Sequence, residues 1–432
     1  MTRILITNAY SARNRGDAAI ILGMVESLRR SSLFRDADIR VSSGDYPADS
    51  EHFPVPVAPS FHSLKNRFPS SPGVNSLYFL VVLLPLSLLW AVAWRFGRFD
   101  LAIPRGLRQL MRTYARAEVV VAAGGGYLYT TSAIHGNVVL LINVYSFFFA
   151  VLLGKPVSLY SQSIGPFAGS WQARFVRLAL SRVRLVEVRE ELSRRLIEDW
   201  RLPTQVRTAV DAAFLLKACR PPTCDLGIDL TEGEPAVGMT VRKWFRDDEQ
   251  QLEFERTMAS FVDWLIEERG TEVVLLPQVT YSEGHDDDRR TAQNVVRLVD
   301  QKDHVRVVED ELSAGEIKWL CGRMEFFVGT RMHSNIFALS SGVPTLAIAY
   351  QPKTHGIMSE LGLGEYVIPI EGLALEELQT VFDAMVVRKS EIRIRLGSII
   401  PPLEVKALEA GRLIADDFAQ WKEQQGDPGE RP

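Results

Sequence analysis

The sequence predicts an α/β protein built from two doubly wound, Rossmann-like domains that face one another across a cleft. Three observations carry this. Short apolar runs rich in Val, Ile and Leu alternate with helical patterns nearly throughout, the signature of layered parallel sheets. A length of 432 residues exceeds what one ordinary core organises. A Pro-, Gly- and Asp-rich stretch, Arg220–Pro235, separates two such alternating series and reads as a linker.

The first domain is expected over residues 1–220. Met1–Asn8 reads as a strand and not as a signal peptide, because its apolar run is short and no cleavage pattern follows. The strand Arg3–Thr7 leads through a polar loop to a helix over Ala18–Arg30. An apolar insertion at 77–96 comes next. From Leu77 to Trp94 it is interrupted by Pro85 and Ser87 and flanked by Lys65, Arg67, Arg95 and Arg98. Its length approaches that of a membrane span. Ile4–Ile6 and Val119–Ala122 read as strands of one parallel sheet, however, and a crossing would divide that sheet between the two sides of a bilayer. A Pro-broken hairpin dipping into the membrane interface is therefore expected, with a covered core or oligomer-contact helix, or a true span, as the alternatives. A strand at Val119–Ala122, a helix near Asn137–Leu153, a strand at Pro156–Tyr160, a helix near Ala173–Ser181 and a strand at Leu185–Val188 follow.

The second domain is expected over 235–375. Strand Ala236–Val241, helix Glu249–Glu268, strand Glu272–Leu276, helix Asp288–Val299 and strand Val305–Val308 open it. Helix Ala314–Arg323, strand Glu325–Val328, a short helix containing Ile336–Leu339 and strand Val343–Tyr350 complete it. Residues 376–432 read as charged helices ending in a frayed tail, Gly426–Pro432.

Composition narrows the function. A hydrophobic share of 47% and a charged share of 24% belong to a folded globular chain. A net charge of −4 gives no electrostatic case for nucleic acid. Three cysteines, Cys219, Cys224 and Cys321, are too few for a disulfide framework and lack the paired spacing of a metal site, so a reducing, cytoplasmic compartment is expected. The acids of His285-Asp286-Asp287-Asp288 read as helix-start residues and not as a metal cluster.

In doubly wound sheets, ligands sit beyond the carboxyl ends of the strands. In the second domain those positions hold Arg242 and Lys243, Gln278, Glu309 and Asp310, Arg331 and His333, and Lys353 after Tyr350. Gly329-Thr-Arg-Met-His333 stands where an apolar strand turns into a helix. A helix amino end attracts phosphate or carboxylate, Arg adds a bidentate clamp, and His moves protons near neutral pH. A small, multiply charged anion fits this rim. In the first domain, Asn14-Arg-Gly-Asp17 precedes a helix that Asp17 can cap, and Gly16 allows a tight backbone path. Gly124, Gly125 and Gly126 offer bare backbone but lack dinucleotide-fingerprint spacing. Gln162 and Ser163 offer polar groups suited to sugar hydroxyls. His135 is a further candidate for the cleft, and Ser163 has no His and acid partners at hydrolase spacing.

Taken in order, these segments resemble the polysaccharide pyruvyl transferase family. The match rests on Asn14-Arg-Gly-Asp-Ala-Ala-Ile20, Ala123-Gly-Gly-Gly126, Ser161-Gln-Ser-Ile-Gly-Pro166, Val188-Arg-Glu190 with Ser193, and Asp211-Ala-Ala-Phe214. It continues through Val237-Gly-Met-Thr-Val-Arg242, Gly329-Thr-Arg-Met-His333, Gly342-Val-Pro344 and Tyr350-Gln-Pro-Lys353 with Gly356. It spans roughly Met1–Leu363; the apolar insertion lies outside it, and Ala212 stands where the pattern expects proline. The resemblance implies a GT-B-like fold, phosphoenolpyruvate as donor, and a pyruvate ketal on a sugar of a polysaccharide or its lipid-linked precursor.

On that reading Arg331, Arg242, Lys353 and Gln278 hold the donor on the second domain, and His333 is the general acid. Asp17 positions or deprotonates the acceptor, with Asn14, Gly16, Gly124, Gly125, Gly126, Gln162 and Ser163 on the acceptor side in the first domain. No cofactor or metal is expected, and the enzyme is expected in the cytoplasm at the inner membrane face, in contact with it through Leu77–Trp94. The alternatives are a GT-B-type glycosyltransferase using a nucleotide sugar and a non-catalytic, membrane-associated scaffold for polysaccharide assembly.

Overall fold

Runs such as Ile4-Leu5-Ile6 and Val119–Ala122 are buried on both alternating faces, as parallel strands covered by helices on each side must be. A computed structural model describes residues 1–66, 71–97, 102–130, 134–222, 236–281 and 287–425. The chain divides into two units. The first comprises Met1–Ala12, Ile20–Leu215 and the chain from Val405 onward; the second comprises Arg13–Ala19 and Leu216–Glu404.

The first unit holds strands β1 (Arg3–Ala9), β2 (Asp38–Ser43), β3 (Val57–Pro59), β4 (Val119–Ala122), β5 (Gly125–Leu128), β6 (Val157–Ile164), β7 (Leu185–Val188) and β8 (Gln205–Thr208). Its helices are α1 (Arg15–Arg30), α2 (Phe61–Lys65), α3 (Pro72–Tyr78), α4 (Leu84–Gly97), α5 (Arg105–Arg116), α6 (Ile134–Leu152), α7 (Ser170–Leu180) and α8 (Glu191–Trp200), the first turn of α1 belonging to the second unit. The parallel sheet runs β3-β2-β1-β4-β6-β7-β8, with β5 pairing beside β6. The second unit holds β9 (Ala236–Thr240), β10 (Glu272–Leu275), β11 (Val305–Val307), β12 (Phe326–Gly329), β13 (Thr345–Ala349) and β14 (Val367–Pro369). Helices α9 (Asp248–Arg269), α10 (Asp288–Leu298), α11 (Ala314–Cys321), α12 (Met332–Leu339), α13 (Pro352–Glu360), α14 (Leu375–Val387) and α15 (Lys389–Gln425) complete the chain. The second sheet runs β11-β10-β9-β12-β13-β14, all parallel, which is Rossmann order with its reversal between β9 and β12.

Several boundaries differ from the sequence expectation. The helix after β1 starts at Arg15 and not at Ala18, because Asn14 caps it: Asn14 Oδ1 accepts from the backbone N–H of Gly16 at 3.1 Å and of Asp17 at 3.4 Å. Asp17 therefore lies inside the first turn and is not the cap. Sequence adjacency alone puts the loop in a domain 1–220, yet Arg13–Ala19 groups with the second unit. The charged helices do not stand apart: α14 and α15 to Glu404 group with the second unit, and Val405 onward with the first. There Arg184 holds Asp417 at 3.0 Å, and Ser27 Oγ donates to Ala407 O at 3.2 Å.

The apolar insertion is not a hairpin. Pro72–Phe96 is one continuous helical rod, long and apolar enough to cross a bilayer by length and composition. A π turn over Phe79–Leu83 precedes Pro85, whose missing N–H cannot serve the Val81 carbonyl. One face, with Phe79, Leu83, Trp90 and Ala91, is buried in the same cluster as Phe61, Tyr114 and Phe149. Ser87 and Tyr145 hydroxyls bond at 2.7 Å within it. Most of the linker (223–235) and the tail expected to fray (426–432) lie outside the described residues.

Candidate active site

The reversal between β9 and β12 puts the chain ends of four neighbouring strands, β10, β9, β12 and β13, on one sheet edge, about 5 Å apart per step. Those ends carry Gln278, Arg242, Arg331 with His333, and Lys353. Thr240 ties β9 to β12: Thr330 N–H donates to its Oγ1 at 3.0 Å, and Thr330 Oγ1 donates to its carbonyl at 3.0 Å. Ser334 Oγ donates to Arg331 O at 2.6 Å, which fixes the start of α12. Arg331 is the N-cap residue, extended and without a side-chain cap bond. A helix amino end of this kind carries a partial positive charge that favours an anion.

Arg331 does not present its planar fork to solvent as expected. Its Nε and Nη2 donate to Asp288 at 3.1 and 2.5 Å. Asp288 is 1% exposed and also accepts from the backbone N–H groups of Gln278 (3.1 Å) and Val279 (3.0 Å). A buried carboxylate is stabilised by a fixed cation, and Arg331 supplies it here. Asp287 caps α10 by accepting from Arg289 N–H at 3.1 Å. His285 and Asp286 lie outside the described residues.

The loop before α1 packs on this edge. Asn14 pairs with Val279 as an antiparallel bridge, and Arg15 N–H donates to Gln278 O at 3.0 Å. Gly16 lies against His333 so closely that a Cβ there would fall 2.2 Å from His333 Nδ1. Asn14 Nδ2 donates to Asp17 Oδ2 at 3.0 Å, which holds that carboxylate near the start of the helix. Arg15, a residue the sequence reading gave no role, is buried and paired with Glu311 at 2.8 Å. Burial lowers its pKa from the usual arginine value, with the Glu311 bond opposing. Glu311 also accepts from Thr280 Oγ1 at 3.1 Å and Arg289 Nη1 at 2.8 Å, which locks the loop to the strand ends.

Gln278 is 1% exposed, and among the described residues neither atom of its side-chain amide has a hydrogen-bond partner. A buried amide in that state is costly unless a bound group satisfies it. The Thr354 hydroxyl, in the first turn of α13 beside Lys353, is likewise buried and without a hydrogen-bond partner among the described residues. Arg242 lies over the Tyr350 ring at 4.4 Å and the Trp244 ring at 5.5 Å, and those rings are 4.5 Å apart. This stacking sets the direction of the guanidinium. Glu309 is exposed and accepts from Gln293 at 3.2 Å.

The first unit's candidates are engaged differently. Gly124 is buried, and a Cβ there would meet Ile20 Cγ2 at 3.1 Å and Tyr160 O at 3.2 Å, so its bareness serves packing onto β6. Gly125 and Gly126 enter the short strand β5, and of the three Gly126 alone is exposed. Gln162 directs its amide inward, to Ala123 O and to Tyr127 Oη at 2.9 Å. Ser163 Oγ accepts from Arg189 at 2.8 Å and donates to Glu190 at 3.1 Å, while Arg189 pairs with Asp211. Arg189, Glu190, Ser193 and Asp211 thus form one part-buried polar network around Ser163. The His135 side chain and Cys224 lie outside the described residues; Cys219 and Cys321 are free. Among the described residues no group of three or more His, Cys, Asp or Glu side chains is placed to hold a metal ion.

Against this geometry stand the likenesses to known proteins. A model of the family described as polysaccharide pyruvyl transferase matches residues 14–352. The amylovoran biosynthesis protein AmsJ of Erwinia amylovora is 29% identical over 387 residues, covering 86% of this chain and 89% of that protein. Among solved structures, UDP-GlcNAc 2-epimerase from Neisseria meningitidis, bound to UDP-GlcNAc, aligns with a TM-score of 0.59 at 10% identity, over 97% of this chain and all of that one (100%). Anabaena HepE in complex with UDP and glucose aligns at 0.54 and 14% identity, over 97% and 100%. At these identities the likeness is one of fold: two Rossmann-like domains of GT-B type.

Proposed function

The chain belongs to the polysaccharide pyruvyl transferase family and is a transferase of exopolysaccharide biosynthesis; from that premise we propose that its donor is phosphoenolpyruvate and its product a pyruvate ketal on a sugar. The observation that carries the reading is His333 in the first turn of α12, held against Gly16 at an amino end without a side-chain cap. A proton carrier beside a helix amino end that favours anions supports this reading.

In this mechanism the donor's carboxylate and phosphate lie against the α12 amino end, Arg242 and Lys353, with the Gln278 amide satisfied by one of their oxygens. His333 delivers a proton to the methylene carbon, which becomes a methyl group and leaves cationic character at the neighbouring carbon. A sugar hydroxyl attacks that carbon and gives up its proton toward Asp17. Phosphate then departs with the C–O bond electrons, and a second hydroxyl closes the ketal, its proton passing to the departing phosphate. Proton transfer by a positioned side chain contributes about 10²–10⁴ in rate. Phosphoenolpyruvate is a cytoplasmic metabolite, so the reading puts the site in the cytoplasm. A sugar carried on a lipid is the acceptor form that suits it.

Donor-dependent thermal stabilisation tests this. Phosphoenolpyruvate at about a hundred times its Kd should stabilise the protein by about 2.7 kcal/mol, while UDP-glucose and UDP-GlcNAc should not. Stabilisation by a nucleotide sugar alone would replace the reading with glycosyl transfer. Stabilisation by neither would leave a scaffold.

A further inference from the structure

The first unit carries a second built feature that sugar pyruvylation does not use. Arg105, Arg108, Arg112 and Arg116 recur at three- and four-residue spacing on α5, within an arc of about 80°. The opposite face of α5, with Leu107, Leu110, Met111 and Tyr114, is buried. The four arginines open onto a cavity of about 800 Å³, where Arg3 and Arg40 join them and Asp38 is the one carboxylate among the described residues of the lining. Asp38 lies 3.3 Å from Arg40. The whole chain has a net charge of −4, so this concentration of positive charge is local.

Helix α4 packs against α5, and the two bury their inner faces in one hydrophobic cluster. The outer side of the same apolar rod carries Leu77, Val81, Leu89, Val92 and Phe96, which are between 56% and 85% exposed. An apolar stripe of this length is poorly tolerated in water. The arginines of the neighbouring helix α5 indicate what covers it, since guanidinium forks match phosphate and are drawn to anionic membrane surfaces.

We propose that this face docks on an anionic phospholipid bilayer, the α3–α4 stripe entering the acyl boundary and the arginine-lined cavity receiving headgroup phosphates. The rod lies along its own core and does not cross the bilayer, because Phe79, Leu83 and Trp90 fill its inner face. An interfacial helix of this kind enters by about 5–10 Å. The proposal stands apart from the donor chemistry, and its failure would leave pyruvyl transfer untouched.

Flotation of the full-length protein with vesicles tests it. Vesicles of phosphatidylglycerol and phosphatidylethanolamine should carry the protein, and phosphatidylcholine vesicles should not. Binding should weaken at least about tenfold from roughly 0.05 to 0.5 M salt. The exposed triple variant Arg105→Gln, Arg112→Gln, Arg116→Gln should lose at least about tenfold in binding, with Tm and turnover in free solution unchanged. Leu89→Asp with Val92→Asp should release the protein independently. Equal binding to phosphatidylcholine, or wild-type binding by the triple variant, overturns the proposal. So does a protein that binds inorganic diphosphate through these arginines yet floats with no vesicle, or one whose stripe is covered by a second copy of the chain.

Discussion

His333 and Gly16 approach so closely that they act as one unit. His333→Ala should abolish turnover while donor binding stays within a few-fold of wild type, because in the proposed mechanism the ring moves a proton and leaves the anions to other groups. Gly16→Ala offers a complementary test. Gly16 lies in a helical turn, where alanine suits the backbone, but its Cβ would displace the His333 ring. Turnover should fall about 100-fold with Tm nearly unchanged; undiminished turnover would remove this contact from the mechanism. Arg331 behaves otherwise. Arg331→Lys loses the two-pronged bond to buried Asp288, so stability should fall by about 3 kcal/mol in urea unfolding. A weaker donor titration with unchanged stability would restore the clamp role that the sequence suggested. Arg331 and His333 were legible because their strand-to-helix position is written in adjacent residues. The Asp288 partner was not, since it lies 43 residues away in an acidic run that reads equally well as a helix start.

Elements were legible where periodicity is strong and local. The strands from β9 to β13 follow from mostly apolar runs set between helical patterns, whereas β2 (Asp38–Ser43) and β8 (Gln205–Thr208) are polar at half their positions or more, β3 has three residues, and all three take their strand form from pairing with neighbours. The apolar rod was visible as composition, but whether it folds back depends on the core it lies upon. That same core holds His62 on α2, whose Nε2–H donates to Asn143 Oδ1 of α6 at 2.7 Å. Burial, against that bond, lowers its pKa from 6.5 to about 4. Near pH 7 the ring is neutral in folded and unfolded chains alike, and this group has no effect. As pH falls from about 6.5 to about 4, the unfolded chain takes up a proton that the folded one refuses, so about 3 kcal/mol of stability is lost. His62→Gln should flatten that part of the profile in urea unfolding between pH 7 and 4.5. Identical profiles for both proteins would place the acid sensitivity elsewhere.

At the scale of the whole chain, the division between units decides where a donor is felt. Sequence order gave Asn14–Asp17 to the first domain, but residues 13–19 group with the second because Asn14 and Arg15 bond to the end of β10. No periodicity encodes that, since the loop is polar on every side and its partners lie far along the chain. Gln278, Arg242, His333, Lys353 and this loop therefore belong to one folded unit, and a donor bound there stabilises that unit first. Hydrogen exchange reads this directly, because a ligand slows those amides whose opening would release it. Phosphoenolpyruvate at about a hundred times its Kd should slow exchange by up to about 100-fold in peptides covering 13–19, 240–244, 276–281 and 329–335. Peptides covering 157–166 and 185–190, whose Gln162, Ser163 and Arg189 are bound within the first unit, should exchange as before. Protection concentrated in those peptides instead would move the donor to the first unit. His333 would then be left as a structural residue of α12, and the site would have to be rebuilt around Ser163 and Arg189.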